Sequence, residues 1–242
     1  MNNTKANYFI NPQIKKTKQF RTPLKDRTLP FYTKGEEIIN TVSHTLGAAL
    51  GIAALALCVV FTALRGNVWG VVSGSIYGAS LVLLYTMSSV YHGIRHEFAK
   101  KVMQVVDHCT IYFLIAGSYT PIALCAIRSI APITGWVLFG VVWGLAIVAA
   151  TLTAIDLKKF KVFSMICYIG MGWSIVFAAK TAIAAIPETG LWYLLAGGIS
   201  YTVGAVLYGL GKKHRYMHSV FHIFVVAGSV LQFVCIFFYV LL

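Results

Sequence analysis

Seven apolar stretches, each at least about 18 residues long, fall at roughly 38–64, 68–94, 103–127, 133–155, 162–186, 190–210 and 217–242. A run of that length crosses hydrocarbon as a helix, because a helix satisfies its backbone N–H and C=O groups within the segment. With 58% hydrophobic and 11% charged residues, the chain has too little polar surface to cover a soluble globule. The expectation is an all-α, seven-transmembrane helix bundle with short loops, forming one membrane domain over 35–242 behind a basic tail over 1–34.

The formal net charge of +13 raises the question of nucleic acid, but the placement of the cations answers it differently. By the seven-span reading, all but Arg65, Arg128 and Lys180 of the 20 Lys and Arg fall in the tail and the second, fourth and sixth loops. The positive-inside rule then puts the N-terminus in the cytoplasm and the C-terminus outside. Anionic headgroups are the expected partner of the tail and loops, and no nucleic acid is expected. The tail lacks apolar periodicity and is expected to be disordered. It does not resemble a cleavable signal peptide, so the first span is expected to act as an uncleaved anchor.

Cys58, Cys109, Cys125, Cys167 and Cys235 lie in predicted spans without C-x-x-C spacing and read as packing residues. Gly47/Gly51, Gly70/Gly74/Gly78 and Gly140/Gly144 are small-residue spacings that let helices approach closely, within the bundle or in an oligomer. Pro121 is expected to kink or end the third helix.

Polar and ionisable groups inside spans are costly to bury and are functional candidates by default. Here they are Asn40 and His44 at the start of span one, Ser88 and His92 at the end of span two, Asp107 early in span three, and His218 and His222 early in span seven. In a seven-span chain those four segment ends share one side of the membrane. Counted from the nearest basic residue, His92 and His218 lie roughly 5 Å inside and Asp107 and His222 roughly 10 Å inside. The depths overlap in one layer.

His218 and His222, four residues apart, stack on one helix face. Such a pair also suits backbone or headgroup bonding, so the wider layer decides. Three neutral imidazoles with an open fourth position make a catalytic zinc site. Asp107 would bind the metal directly or act as general base, and Ser88 would support Asp107 or a substrate oxygen. His44 is not counted as a ligand, because three histidines are already in place. His96 and His214 have charged neighbours that put them at the headgroups, and His108 points about 100° away from Asp107. Glu36, Asn40 and His44 form a stripe at i, i+4 and i+8, read as capping and hydration or as support and gating for the site.

At these residues the sequence resembles the hemolysin III family, part of the progestin and adipoQ receptor group and related to alkaline ceramidases. The matching elements are G-E-E-I-I-N-T-V-S-H at 35–44, S-S-V-Y-H at 88–92, D-H-C-T-I-Y-F-L-I-A-G-S-Y-T-P at 107–121 and H-S-V-F-H at 218–222. Order and spacing agree over essentially the whole chain from Gly35. The resemblance implies a seven-helix, N-inside bundle, one Zn2+ per chain on His92, His218 and His222, and Asp107 and Ser88 beside the site's water.

Family members are named for haemolysis or hormone reception, whereas ceramidase relatives hydrolyse a lipid amide. The chemistry of the cluster favours hydrolysis. The leading expectation is therefore a zinc-dependent hydrolase of membrane-lipid acyl bonds, chiefly amides, acting in the cytoplasmic leaflet of the plasma membrane. The rivals are a pore-forming cytolysin or channel, and a receptor with structural zinc. A pore would line both membrane halves with polar groups, and the outer half here is nearly free of charge.

Overall fold

The computed structural model describes residues 21–210 and 214–242. It contains seven helices long and apolar enough to cross a membrane: α1 (Lys34–Leu64), α2 (Val68–Gly93), α3 (Glu97–Ile130), α4 (Pro132–Ile155), α5 (Lys161–Ala185), α6 (Glu188–Gly209) and α7 (Met217–Leu241). No strand occurs among the described residues. The expected all-helical, seven-span architecture is therefore what the chain adopts.

Two helices begin earlier than their apolar stretches. The N-cap Thr33 accepts from the Glu36 backbone N–H at 3.4 Å, and Glu36 Oε2 accepts from Thr33 N at 2.8 Å. This reciprocal capping box starts α1 at Lys34. In α3 the polar first turns are held by His96, whose Nδ1 accepts from Ala99 N, and by the Glu97–Lys101 ion pair at 2.7 Å. Polarity at those positions hid two helical turns from a hydropathy reading.

Pro121 does not end α3. The helix passes through it into a wide π-type turn over Ile122–Ile127 and continues to Ile130. A proline has no N–H to give to the preceding turn, and the wider winding accommodates that loss. The break falls in α5 instead, where Lys161–Gly172 gives way to a 3-10 segment, Ser174–Ala178. Tyr119 of α3 repairs it, because its hydroxyl donates to Gly172 O at 2.7 Å and accepts from Ile175 N at 2.9 Å. Irregular backbone at membrane depth persists where protein groups satisfy it in this way.

α3 sits centrally, packed against α2, α4 and α5, while α1 packs on α2 and α7 on both α6 and α1. α1 and α2 are so close that a Cβ on Gly78 would lie 2.5 Å from Leu55 Cα. That explains the glycine spacing in α2. A Cβ on Gly140 or Gly144 would meet nothing within 4 Å among the described residues. All five cysteines are free thiols, as their spacing predicts. Tyr85 of α2 donates to Ser229 Oγ at 2.6 Å, and Tyr201 of α6 meets the same hydroxyl at 2.7 Å, so one serine ties three helices.

Residues 21–33 of the basic tail run as a strap across the end of the bundle that carries most of the loop cations. Thr22 N donates to Asp156 Oδ2 at 2.9 Å, Arg27 Nη2 to Ile155 O at 2.7 Å, and Lys101 Nζ to Lys25 O at 3.0 Å. Residues 1–20, the rest of the expected tail, lie outside the described residues. Burial would raise the Asp156 pKa, but the Thr22 and Lys159 N–H groups and the Arg27 guanidinium outweigh it and hold the carboxyl at about 2.

A depressed carboxyl contributes stability above its unfolded pKa of about 4. The contribution is lost as pH falls toward the folded value of about 2. Asp156→Asn protein should melt below wild type near neutral pH, and the two curves should converge across that acid window. A gap that stays constant with pH would show that the carboxylate charge does not anchor the strap.

Candidate metal centre

The site is assembled where α1 starts, α2 ends and α7 starts. α2 closes at Gly93, which leaves His92 in its last turn. α7 opens after Tyr216, which adopts a left-handed φ of 62°. Such a conformation is unfavourable for a bulky residue and needs an external hold. Glu36 supplies one: its Oε1 accepts from Tyr216 N at 2.8 Å while its other oxygen caps α1. A single buried carboxylate thus fixes the first turn of α7 beside the first turn of α1, and with it His218 and His222.

The three imidazoles converge through one nitrogen each, all within 4.8 Å of one another. His218 Nε2 lies 3.3 Å from His92 Nε2 and 3.1 Å from His222 Nε2. Nitrogens about 2.0–2.1 Å from a tetrahedral zinc lie about 3.4 Å from each other, so the spacing suits such an ion. The donor chemistry suits it too, since neutral imidazole is a favoured ligand of zinc and several other transition metals. His218 Nδ1 and His222 Nδ1 are buried without a hydrogen-bond partner among the described residues, which leaves Nε2 as the organised face of both rings.

Asp107 is buried but does not join the convergent group. Its carboxylate lies 3.7 Å from His108 Nδ1. Ser88, Asp107, His218 and His222 all line one cavity of about 600 Å³. It continues between α3, α5, α6 and α7 over mainly apolar side chains such as Leu114, Ile115, Val176 and Leu194, and reaches Glu188 and Trp192. Tyr208 and Glu188 both line it from α6, so it runs about 30 Å along that helix, nearly a hydrocarbon thickness.

The polar stripe of α1 faces this centre. Ser219 Oγ donates to Asn40 Oδ1 at 2.7 Å, and His44 stacks on His222 with ring centroids 3.7 Å apart. His44 is not in the convergent set, yet it lines the cavity with both nitrogens lacking a partner among the described residues. His108 Nδ1 meets Gln104 O at 2.8 Å and its Nε2 meets Tyr208 Oη at 3.4 Å. His96 and His214 are exposed, in keeping with an interfacial position.

Three contributors escape a reading of the sequence. Glu37 Oε2 lies 2.6 Å from His92 Nδ1, and Lys100 Nζ lies 2.7 Å from Glu37 Oε1. Tyr32, from the strap, stacks on His218 at 4.8 Å and meets His92 edge-on at 5.6 Å. Glu37 lies inside the G-E-E-I-I-N-T-V-S-H element, but its neighbour Glu36 carried the i, i+4 pattern; nothing local singles out Tyr32 or Lys100.

Fold and site together define a multipass membrane protein with three histidines placed to hold a metal ion. Comparison with known proteins agrees: residues 32–233 match the family model described as Haemolysin-III related. The chain is 40% identical over 206 residues to Hemolysin-3 of Bacillus cereus, covering 85% of this chain and 92% of that protein. It is 37% identical over 208 residues to the Hemolysin-3 homolog of Bacillus subtilis (strain 168), covering 86% and 96%. It is also 26% identical over 224 residues to the monocyte to macrophage differentiation factor of Homo sapiens, covering 89% and 88%. The chain belongs to the haemolysin-III related family.

Proposed function

We propose that the protein is a zinc-dependent hydrolase of acyl bonds in membrane lipids, chiefly amides, residing in the plasma membrane with its basic end in the cytoplasm. The observation that carries this reading is one cavity whose polar end holds His218, His222, Asp107 and Ser88 and whose remaining length is lined mainly by apolar side chains on its way to Glu188. A soluble substrate needs no such apolar length. A lipid does, with its acyl tail between the helices and its polar linkage among the histidines.

A zinc ion held by His92, His218 and His222 would supply Lewis-acid chemistry, polarising the acyl carbonyl and acidifying water to near neutrality. The chain's own groups do the rest. Asp107 accepts the proton of the attacking water and delivers it to the departing nitrogen, while Ser88 hydrogen-bonds the acyl oxygen or steadies Asp107. The new C–O bond replaces the C–N bond, and a free fatty acid and an amine leave. Membrane lipid is thus the proposed partner of the cavity, and anionic headgroups that of the basic loops.

Purified protein incubated with lipid amides in mixed micelles should release free fatty acid, and a metal chelator should stop it. The name of the Bacillus cereus relative, Hemolysin-3, favours a second reading, a cytolysin. Dye leakage from vesicles that persists when the histidines are replaced, with no fatty acid released, would favour that reading over hydrolysis. Metal removal that lowers the melting temperature, again with no lipid turned over, would favour a receptor with structural zinc.

A further inference from the structure

The three converging histidines are not equivalent in what lies behind them. His218 and His222 have no hydrogen-bond partner at Nδ1 among the described residues, whereas His92 Nδ1 faces a carboxylate. Glu37 stands at 2.6 Å from it, within the range of a charge-assisted hydrogen bond. An ionised carboxylate only accepts, so this nitrogen carries the proton. The Asn40 amide nitrogen also lies near, but at 3.4 Å it is the weaker neighbour.

The other Glu37 oxygen is held at 2.7 Å by Lys100 Nζ. The same ammonium donates to His92 O at 3.4 Å and Ile94 O at 3.3 Å, carbonyls that α2 leaves without helical partners where it ends. Lys100 therefore fixes the carboxylate and the peptide that carries His92 in one frame. Glu37, Lys100 and His92 do not line the cavity.

We propose that Glu37 is the positioning residue of the metal centre, locking His92 in the Nδ1–H tautomer so that its Nε2 lone pair faces the metal, with Lys100 holding the carboxylate in place. The inference rests on the reading of His92, His218 and His222 as a metal site. A neutral imidazole otherwise divides between two tautomers, and the Nε2–H form presents no lone pair to an ion. Of the three converging rings, His92 is the one whose Nδ1 meets a carboxylate, so preorganisation of the site falls chiefly on this ring.

The test is the zinc dissociation constant of full-length purified protein, measured by competition with a chromophoric chelator. Glu37→Gln, which keeps the side-chain volume, should weaken zinc binding by about 10–100-fold. Lys100→Met should weaken it by less, since the carboxylate remains but is no longer anchored. In a His92→Ala background Glu37→Gln should change the residual affinity by less than about twofold, because the effect passes through that ring. A role confined to packing would lower the melting temperature of the metal-free protein and leave the affinity of the folded fraction unchanged.

Affinity within about twofold of wild type in Glu37→Gln, or an equal loss with and without His92, overturns the proposal alone. If Glu37→Gln does not fold, Lys100→Met carries the same test, and an unchanged affinity there overturns it. Wild-type protein that binds no zinc overturns this proposal together with the metal reading. Tight zinc binding without fatty-acid release sinks only the hydrolase reading.

Discussion

Detergent-purified wild type is expected to carry about one zinc per chain, and His218→Ala/His222→Ala protein none. Two of the three converging nitrogens are then gone, and the remaining His92 cannot hold an ion against a micromolar chelator. The loss should exceed the roughly 10–100-fold that removing an outer partner costs. Elemental analysis of monodisperse, helical protein is the measurement. His222 is 1% exposed, so its truncation also opens a small void beside His44. His218→Ala alone, in the more accessible position, guards against misreading a folding defect as a binding defect. Metal absent from well-folded wild type would make the three rings packing residues, and the cytolysin reading would lead.

Asp107→Ala separates general base from ligand. Fatty-acid release should fall by about 10²–10⁴-fold, the usual contribution of a positioned proton-transfer group. That corresponds to about 3–5 kcal/mol of transition-state stabilisation. Zinc content should stay at the wild-type level, because the carboxylate stands outside the convergent set. Parallel loss of zinc would make Asp107 a ligand. Undiminished release would remove it from the chemistry altogether, and would direct attention to His44, whose ring also lines the cavity.

Much of this arrangement was legible in the chain. A run of apolar residues long enough to cross hydrocarbon has few alternatives to a helix, so all seven spans could be read. Span parity and helical rise then put His92, Asp107, His218 and His222 in one layer without any knowledge of neighbours. The boundary errors at Lys34 and Glu97 have one cause. Hydropathy is blind to polar first turns, which are held by caps and ion pairs instead of by apolar burial.

What the sequence determined by itself is what depends on local chemistry: the helical spans, their number, and the end of the bundle at which the cations and the polar groups gather. What only the tertiary structure decided is which of those groups meet. The carboxylate behind His92 comes from Glu37 and not from its neighbour Glu36, which caps α1 and holds Tyr216. Asp107 stands apart from the histidine cluster, Tyr32 of the strap covers His218, and Tyr119 mends the break in α5. These contacts join residues far apart in the chain, and they depend on helix rotation and neighbour choice. In lipid both are set by close packing and interhelical hydrogen bonds, to which a one-dimensional pattern of hydropathy and charge is indifferent.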